Sequence, residues 1–535
     1  MTKGSATLRA EAHKVWTVCA LVLVPSILLV VPASNAEEQA RAEAVEVASP
    51  SIGPGYAAGP LVVAEDNPRY FTIASGNRPD RRVVYLTGSH IWNNLHDGLG
   101  PGFPCASEQN DFDAYLEFLE SHGHNFIRLW RWEHFTSQAA GGGFHLCMTP
   151  QPWPRTGPGV ASDGAPRFDL SEFDQAYFDR LRDRVIAAGN RGIYVSVMLF
   201  DGFCLTQCLR PDNVAGHPFA AGNNTDGIII TSISDYQVLP IDPRIEAIQE
   251  AYIRKVVDTV HDLPNVLYEV ANESTDATSE WGDSTEWQYG VIDHLKEYEA
   301  QMGYERHPVG MTFQIGTYGT GPNGFPSQLP DAPRNARLLE SPADWISPGF
   351  EEEYFVDPWF TNPPSNDGTK VVISDTDHYA SVLGEPLWAW KSFLRGHNPI
   401  LMDFGIIDVV NPLDPSLGVP SYESYEPTRF AMGDTRRFAE RVDLVEMGPR
   451  GDLSSTGYVL ADPGNEYLVL QPSDTPDPFT VSLAAGRYSL RWYSVLARRN
   501  IGTDKVTAAS PGATTFEPPS EPDGPMVLHL RRVGR

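Results

Sequence analysis

The sequence predicts an α/β protein, a (β/α)8 barrel of the TIM type followed by a small antiparallel β-sandwich. Three observations carry that expectation. Apolar, β-branched runs alternate with amphipathic stretches of helical period, the pattern of a parallel sheet with crossover helices. Eight such runs fall between residues 85 and 402, the number that closes a barrel. No Gly-rich phosphate loop follows the first run, which speaks against an open doubly wound sheet.

In chain order, residues 1–36 read as an export signal. Lys3, Arg9 and Lys14 flank or precede the apolar stretch Val15–Val31, which Pro25 breaks, and Ser34-Asn35-Ala36 offers a cleavage site. An uncleaved anchor is the alternative, because the stretch is about long enough to reach across a bilayer. Residues 37–60, rich in Ala, Glu, Gly and Pro without period, form a flexible leader. The barrel domain spans 61–448 and opens with a hairpin lid, Arg69–Ile73 and Arg82–Thr87. Its strands are expected at Tyr85–Thr87, Asn125–Trp130, Gly192–Leu199, Val266–Ala271, Pro308–Thr312, Ala343–Ile346, Val371–Ser374 and Ile400–Met402. Helical spacing marks Phe112–His122, Phe173–Ala188, Ile245–His261 and Glu286–Met302, with a further amphipathic stretch over Asp434–Met447. In 449–535 the period changes. Tyr458–Ala461, Glu466–Leu470, Phe479–Leu483, Tyr488–Tyr493 and Met526–Leu530 are short strands separated by Gly, Pro and Asp.

Composition narrows the function. The net charge of the 535-residue chain is -29, and residues 1–36 carry +2 (three basic, one acidic), leaving -31 after cleavage. So acidic a chain is not expected to bind nucleic acid, an anionic membrane or a polyanionic substrate. The preference for Arg over Lys fits a GC-rich bacterial genome. Of five cysteines, Cys19 leaves with the signal. The remaining four fit an exported, disulfide-bonded protein, with Cys204–Cys208 and Cys105–Cys147 the favoured pairs. A four-cysteine zinc site is the rival reading, but the spacing suits it poorly.

In a parallel barrel the residues just past each strand line one rim. Here that rim collects His90, Trp92, Asn94, Arg128, Trp130, Trp132, Asp201, Asn272, Glu273, Asp375, Asp377, His378 and Asp403. Aromatic faces mixed with acidic and hydrogen-bonding groups suit sugar rings and their hydroxyls. Two acidic strand tips, Glu273 and Asp375, suggest paired-carboxylate chemistry. No GxSxG turn supports a serine nucleophile, and nothing resembles HExxH, so no metal or other cofactor is expected. His90, Asp201 and His378 are the one set that offers a metal alternative. Trp388 and Trp390 cannot share a helical face, so at most one should point at the site.

With Gly123-His124-Asn125-Phe126-Ile127-Arg128 at the second strand and Asn272-Glu273 at the fourth, the chain resembles the clan A-type retaining glycoside hydrolases. Pro399–Asp403 and Trp388–Phe393 are similar to a cellulase-like bacterial subgroup of that clan. Its C-terminal module carries a collagen-binding label, and Tyr458–Leu470 with Tyr488–Tyr493 resembles it. The resemblance implies Glu273 as general acid/base, Asn272 on the sugar 2-hydroxyl, and Arg128 beneath the nucleophile. Where the clan presents a Glu at the seventh strand, Asp375 stands here and is the expected nucleophile. Asp377 is the other candidate, and Asp375 as a turn cap or an inverting reaction through water are the alternatives. His90, Trp92, Asn94, Trp130, Trp132, Asp201, Asp377, His378 and Asp403 would form substrate subsites. The expectation is therefore a secreted, monomeric glycoside hydrolase acting on a neutral poly- or oligosaccharide. A non-catalytic carbohydrate- or matrix-binding protein on the same barrel is the second reading, and a metal-dependent hydrolase the third.

Overall fold

A computed structural model describes residues 57, 59–74, 82–100, 110–138, 145–208, 214–329, 334–380, 383–406, 421–475 and 477–534. The signal segment 1–36, nearly all of the leader 37–60, and Cys105 lie outside the described residues. Among the described residues no helix is long and apolar enough to cross a membrane.

The lid is a three-stranded antiparallel sheet, β1 (Leu61–Val63), β2 (Phe71–Ile73) and β3 (Val83–Val84). Leu61 and Phe71 join Leu86, Phe126, Tyr194, Leu267, Trp345 and Val371 in one apolar cluster. Those partners lie at the N-terminal ends of the barrel strands, so the sheet covers the barrel floor, opposite the rim.

The barrel strands are β4 (Gly88–His90), β5 (Phe126–Leu129), β6 (Tyr194–Asp201), β7 (Val266–Asn272), β8 (Val309–Thr312), β9 (Trp345–Ser347), β10 (Val371–Asp375) and β11 (Asn398–Met402). They pair in parallel in the order β4-β11-β10-β9-β8-β7-β6-β5. Asn125 closes the seam between β4 and β5. Its Oδ1 accepts from the Thr87 amide at 3.0 Å, and its own amide donates to Thr87 O at 2.9 Å. Buried on both faces, the strands need the continuous apolar character that made them legible. Trp345 fills the barrel interior against Gly310, where a Cβ would overlap the indole.

The first strand begins three residues later than expected. Tyr85–Thr87 is held instead by side chains: the Leu86 amide donates to Asn398 Oδ1 at 3.0 Å, and Thr87 Oγ1 to Pro399 O at 2.6 Å. The shift puts His90 within the strand rather than beyond it.

Outer helices follow the strands: α1 (Phe112–His122), α2 (Gln175–Gly189), α3 (Pro243–Val260), α4 (Thr285–Met302), α5 (Arg334–Glu340), α6 (Pro386–Leu394) and α7 (Tyr422–Ala439). Asp111, Asp174 and Asp242 cap the first three by accepting a backbone amide of the first turn. The last helix differs from the expected Asp434–Met447. It starts at Tyr422 and carries Pro427 within its early turns, a residue that reads as a break in sequence. Trp388 and Trp390 of α6 are both fully buried. Trp390 meets Phe438 and Tyr493 at ring distances of 5.1 and 5.8 Å, so it serves the junction with the C-terminal sheet.

The C-terminal sheets comprise β12 (Gly448–Pro449), β13 (Val459–Asp462), β14 (Glu466–Gln471), β15 (Phe479–Leu483), β16 (Gly486–Ser494), β17 (Arg499–Ala508), β18 (Gly512–Phe516) and β19 (Met526–Arg532). Six strands run antiparallel in the order β12-β13-β14-β19-β16-β17, and β15 pairs with β18. Tyr467, Val469, Val481, Tyr488, Trp492 and Leu528 pack between them. A buried carboxylate locks the domains together, since Asp434 accepts from the Tyr493 hydroxyl at 2.6 Å and from Arg498 at 3.1 Å.

Candidate active site

The centre of the rim is organised by one cation. Arg128, on β5 and fully buried, donates through Nε and Nη2 to Glu269 at 2.9 and 2.6 Å. Its Nη1 reaches Asp375 Oδ2 at 2.9 Å and Asp377 Oδ2 at 3.4 Å, while Nη2 also donates to Asn272 Oδ1 at 2.9 Å. The guanidinium lies 4.7 Å from the Trp130 ring centre, and Trp130 stacks on His90 at 5.9 Å. A planar fork of five donors is what joins three carboxylates and an amide from β7, β10 and the turn after β10 at one point.

Asp375 and Asp377 have different surroundings. Asp375 ends β10 and is 0 % exposed, whereas Asp377 retains 8 %. His90 Nε2 donates to Asp375 at 2.9 Å, and Asp375 Oδ1 also caps the turn Thr376–His378 by accepting the Asp377 amide at 3.0 Å. With Arg128 on Oδ2, both oxygens of Asp375 are occupied. Burial pushes its pKa up, but His90 and then Arg128 outweigh this and hold the carboxyl well below the usual range. For Asp377, burial and then the Asp375 charge raise the pKa to about 6.

Glu273 follows β7 with φ at 48°, an uncommon conformation for a side chain with a Cβ. Gly202 makes room for that turn, since a Cβ there would collide with the Glu273 carbonyl. Gln207 Nε2 donates to Glu273 Oε2 at 3.0 Å from the one-turn helix Phe203–Gln207, which the Cys204–Cys208 disulfide ties. The Glu273 pKa stands well above the ordinary value because of burial, then the charges of Asp377 and Asp201; Arg128 and the Gln207 bond pull the other way. Asp201, ending β6, lies 3.5 Å from Asn272 Nδ2 and is raised to about 7 by burial and the neighbouring Glu133.

Other expected site residues take different parts. Asn94 brackets the Arg128 strand, donating to Arg128 O at 2.6 Å and accepting from the Trp130 amide at 2.7 Å. Asp403 is fully buried and bonded to Arg429 through both oxygens, at 2.6 and 2.7 Å. Trp130 and Trp132 are buried, and Trp132 Nε1 donates to Trp92 O at 2.7 Å. Trp92 keeps a partly exposed ring, edge-on to Phe404 at 4.8 Å. His378 accepts or donates at Ser347 Oγ through Nδ1 at 3.0 Å, and its Nε2 stands 3.9 Å from Asp377. Cys147 is disulfide-bonded, while the Cys105 half of the expected Cys105–Cys147 pair lies outside the described residues.

Two features were not read from sequence. Gln207 is one. The other is an aromatic wall from the loops after β8 and β9: Phe313 lies 5.7 Å from the His378 ring, Phe350 5.6 Å from Phe313, and Tyr318 5.1 Å from Phe350. Tyr354 extends it, donating to the Asp377 carbonyl at 2.7 Å. Asp375, Asp377 and His378 also bring candidate metal-ligand atoms within 4.8 Å of one another. Arg128 already places a fixed positive charge against two of those three groups, so a further cation fits them poorly.

No protein-family model matches the chain, and no curated protein sequence matches it significantly. Solved structures do resemble it. A glycoside hydrolase is 13% identical with a TM-score of 0.52, the match covering 89% of this chain and 98% of that one. A glycoside hydrolase of family 5 from Bacteroides vulgatus is 12% identical, again with a TM-score of 0.52, over 89% of this chain and 94% of its own. At these identities the likeness shows the fold: this chain shares its (β/α)8 barrel and C-terminal sheets with proteins described as glycoside hydrolases.

Proposed function

We propose that the protein is an exported glycoside hydrolase that cleaves O-glycosidic bonds of a neutral poly- or oligosaccharide by a retaining, two-carboxylate mechanism. The observation that carries this reading is the charge pattern around Arg128. It joins a sealed Asp375, held low by His90 and Arg128, to a more accessible Asp377, whose charge together with burial raises the pKa of Glu273. Environments that push neighbouring carboxyl pKa values apart are how such sites divide acid from nucleophile. The likeness to proteins described as glycoside hydrolases agrees with it.

In this reading Glu273 protonates the departing glycosidic oxygen while a carboxylate attacks the anomeric carbon. Of the two aspartates, Asp377 is the better nucleophile. Asp375 has no uncommitted oxygen, and its roles as turn cap and anchor for Arg128 and His90 account for its burial. This departs from the nucleophile expected from the sequence, and the commitment of both Asp375 oxygens to His90, Arg128 and the Asp377 amide is the reason. Forming the glycosyl ester removes the Asp377 charge, one of the causes of the raised Glu273 pKa. Glu273 then loses its proton more readily and serves as base toward the incoming water. Asn272, held by Arg128, is the residue this reading sets toward a sugar hydroxyl, and the partly exposed Trp92 and Tyr354 supply apolar faces.

The test is Glu273→Gln assayed against a panel of aryl glycosides. The wild-type protein should turn over at least one of them and the variant should lose most of that rate while keeping its melting temperature. A wild-type protein that binds glycans but turns over none would support the non-catalytic reading.

A further inference from the structure

The C-terminal sheet carries a groove of about 680 Å³ whose charge opposes that of the chain. Its wall is the end of the last barrel helix and the segment after it, Phe438, Arg441 and Val442; its floor includes Ser489, Arg491, Thr503, Lys505, His529 and Arg531. Across a protein with 69 acidic and 40 basic residues, four Arg or Lys side chains line this one depression, and Asp504 is the sole carboxylate among its lining residues. No ion pair engages Arg441, Arg491 or Lys505 among the described residues. Glu466 at the margin is taken by His529 at 2.7 Å and more loosely by Arg531 at 3.5 Å.

The strand register spaces these cations. Ser489 on β16 stands between Lys505 on β17 and Arg531 on β19, while Arg491 stands between Thr503 and His529. Residues paired across a sheet share a face. Neighbouring strands are about 4.8 Å apart, so Lys505 and Arg531 are separated by roughly 10 Å, with Arg491 about 7 Å along the middle strand. The Ser489 hydroxyl, which donates to Arg531 O at 3.1 Å and keeps its acceptor capacity, lies between Lys505 and Arg531, and the Thr503 hydroxyl lies beside Arg491. The wall and floor come from different domains, fixed by the contacts of Phe438 with Tyr493 at 5.1 Å and with His529 at 6.4 Å. Such a surface is arranged before any ligand arrives.

We propose that this groove binds an acidic polysaccharide, its carboxylate or sulfate groups meeting Arg491, Lys505, Arg531 and Arg441 and its hydroxyls meeting Ser489 and Thr503. The charge argument is independent of the barrel; the choice of a glycan over an acidic peptide rests on the glycosidase reading. The chain's overall negative charge does not prevent this, because screening at physiological salt confines electrostatics to about 8 Å. The protein would then anchor on one polymer while its acidic cleft acts on a neutral one nearby.

The test is calorimetric titration of the full-length Glu273→Gln protein, so that turnover plays no part. Oligogalacturonate, chondroitin sulfate oligomers, neutral cello-oligomers and poly-glutamate are compared at two salt concentrations. Binding of at least one acidic glycan is expected, weakening with salt and by about tenfold or more in Arg491→Gln/Lys505→Gln, two exposed changes that should leave the melting temperature unchanged. The carboxylated and sulfated arms show which anion is preferred. Absent acidic-glycan binding, equal binding by the double variant, or equally tight binding of poly-glutamate would overturn the proposal. Loss of catalysis in the barrel would not affect these outcomes.

Discussion

Replacing Arg128 by Met should both destabilise the barrel and reshape its pH dependence. Methionine keeps an unbranched stem, shorter than that of arginine, but removes five donors and the cation shared by Glu269, Asp375 and Asp377. Taking one partner from a buried ion pair costs about 3–5 kcal/mol. Here two fully buried carboxylates, Glu269 and Asp375, lose their guanidinium at once, although His90 still serves Asp375. A loss of about 4 kcal/mol is therefore reasonable at neutral pH. In a domain this large each kcal/mol moves the melting temperature by roughly 2 °C, so a fall of about 8 °C is expected. The loss should shrink as pH drops toward 5, because protonating the abandoned carboxylates relieves their repulsion. Thermal unfolding followed by circular dichroism at pH 5, 7 and 8 measures both effects. Arg128→Lys should fall between, since it keeps the charge without the fork. A variant that melts with wild type at pH 7 would refute the view that this cation holds the site together.

Other groups make separate predictions. Asp201→Asn should flatten the stability profile between about pH 4 and 7. In wild type the folded pKa of about 7 lies above the unfolded value, so the folded state keeps a proton the unfolded state has lost and stability falls as pH rises through that window. The variant should accordingly gain on wild type above pH 7, as read by chemical denaturation at several pH values. Gln207→Leu removes a hydrogen bond that favours ionised Glu273. The alkaline limb of kcat/KM should move to higher pH, and an unmoved limb would disconnect Gln207 from the acid. The acid limb should report Asp377, with activity lost as pH falls through about 6.

Much of the fold was legible because barrel strands are buried on both faces and leave apolar runs that cannot be mistaken for surface. The failures are instructive for the same reason. The first strand was placed at Tyr85–Thr87 because those residues are the apolar ones; the ladder begins at Gly88, where the sequence turns polar toward the site. Strand β17 was missed because most of its residues face solvent, and its charged positions show no alternation. Helix α7 was displaced by Pro427, which local pattern treats as a stop.

The places of Arg128 on β5 and of Glu273 just past β7 were readable from the apolar runs. Asp375 was the expected nucleophile and Asp377 the other candidate, because a strand repeats every two residues. The turn Thr376–His378 breaks that repeat, with Asp375 as its cap and Asp377 inside it, at 0 % and 8 % exposure. Asp403 was taken for a substrate contact because its partner, Arg429, is supplied by a helix that sequence did not place. Gln207 and the aromatic wall sit on long inserts whose return to the rim depends on tertiary packing.

The central claim is that Asp377 attacks while Glu273 supplies the proton. Activated 2-deoxy-2-fluoro glycosides trap a retaining enzyme as its covalent ester, and tryptic cleavage releases Val371–Lys391 with both aspartates in one peptide. Fragmentation mass spectrometry of that peptide should place the sugar on Asp377. A label on Asp375, or inversion at the anomeric carbon with no ester formed, would contradict the account.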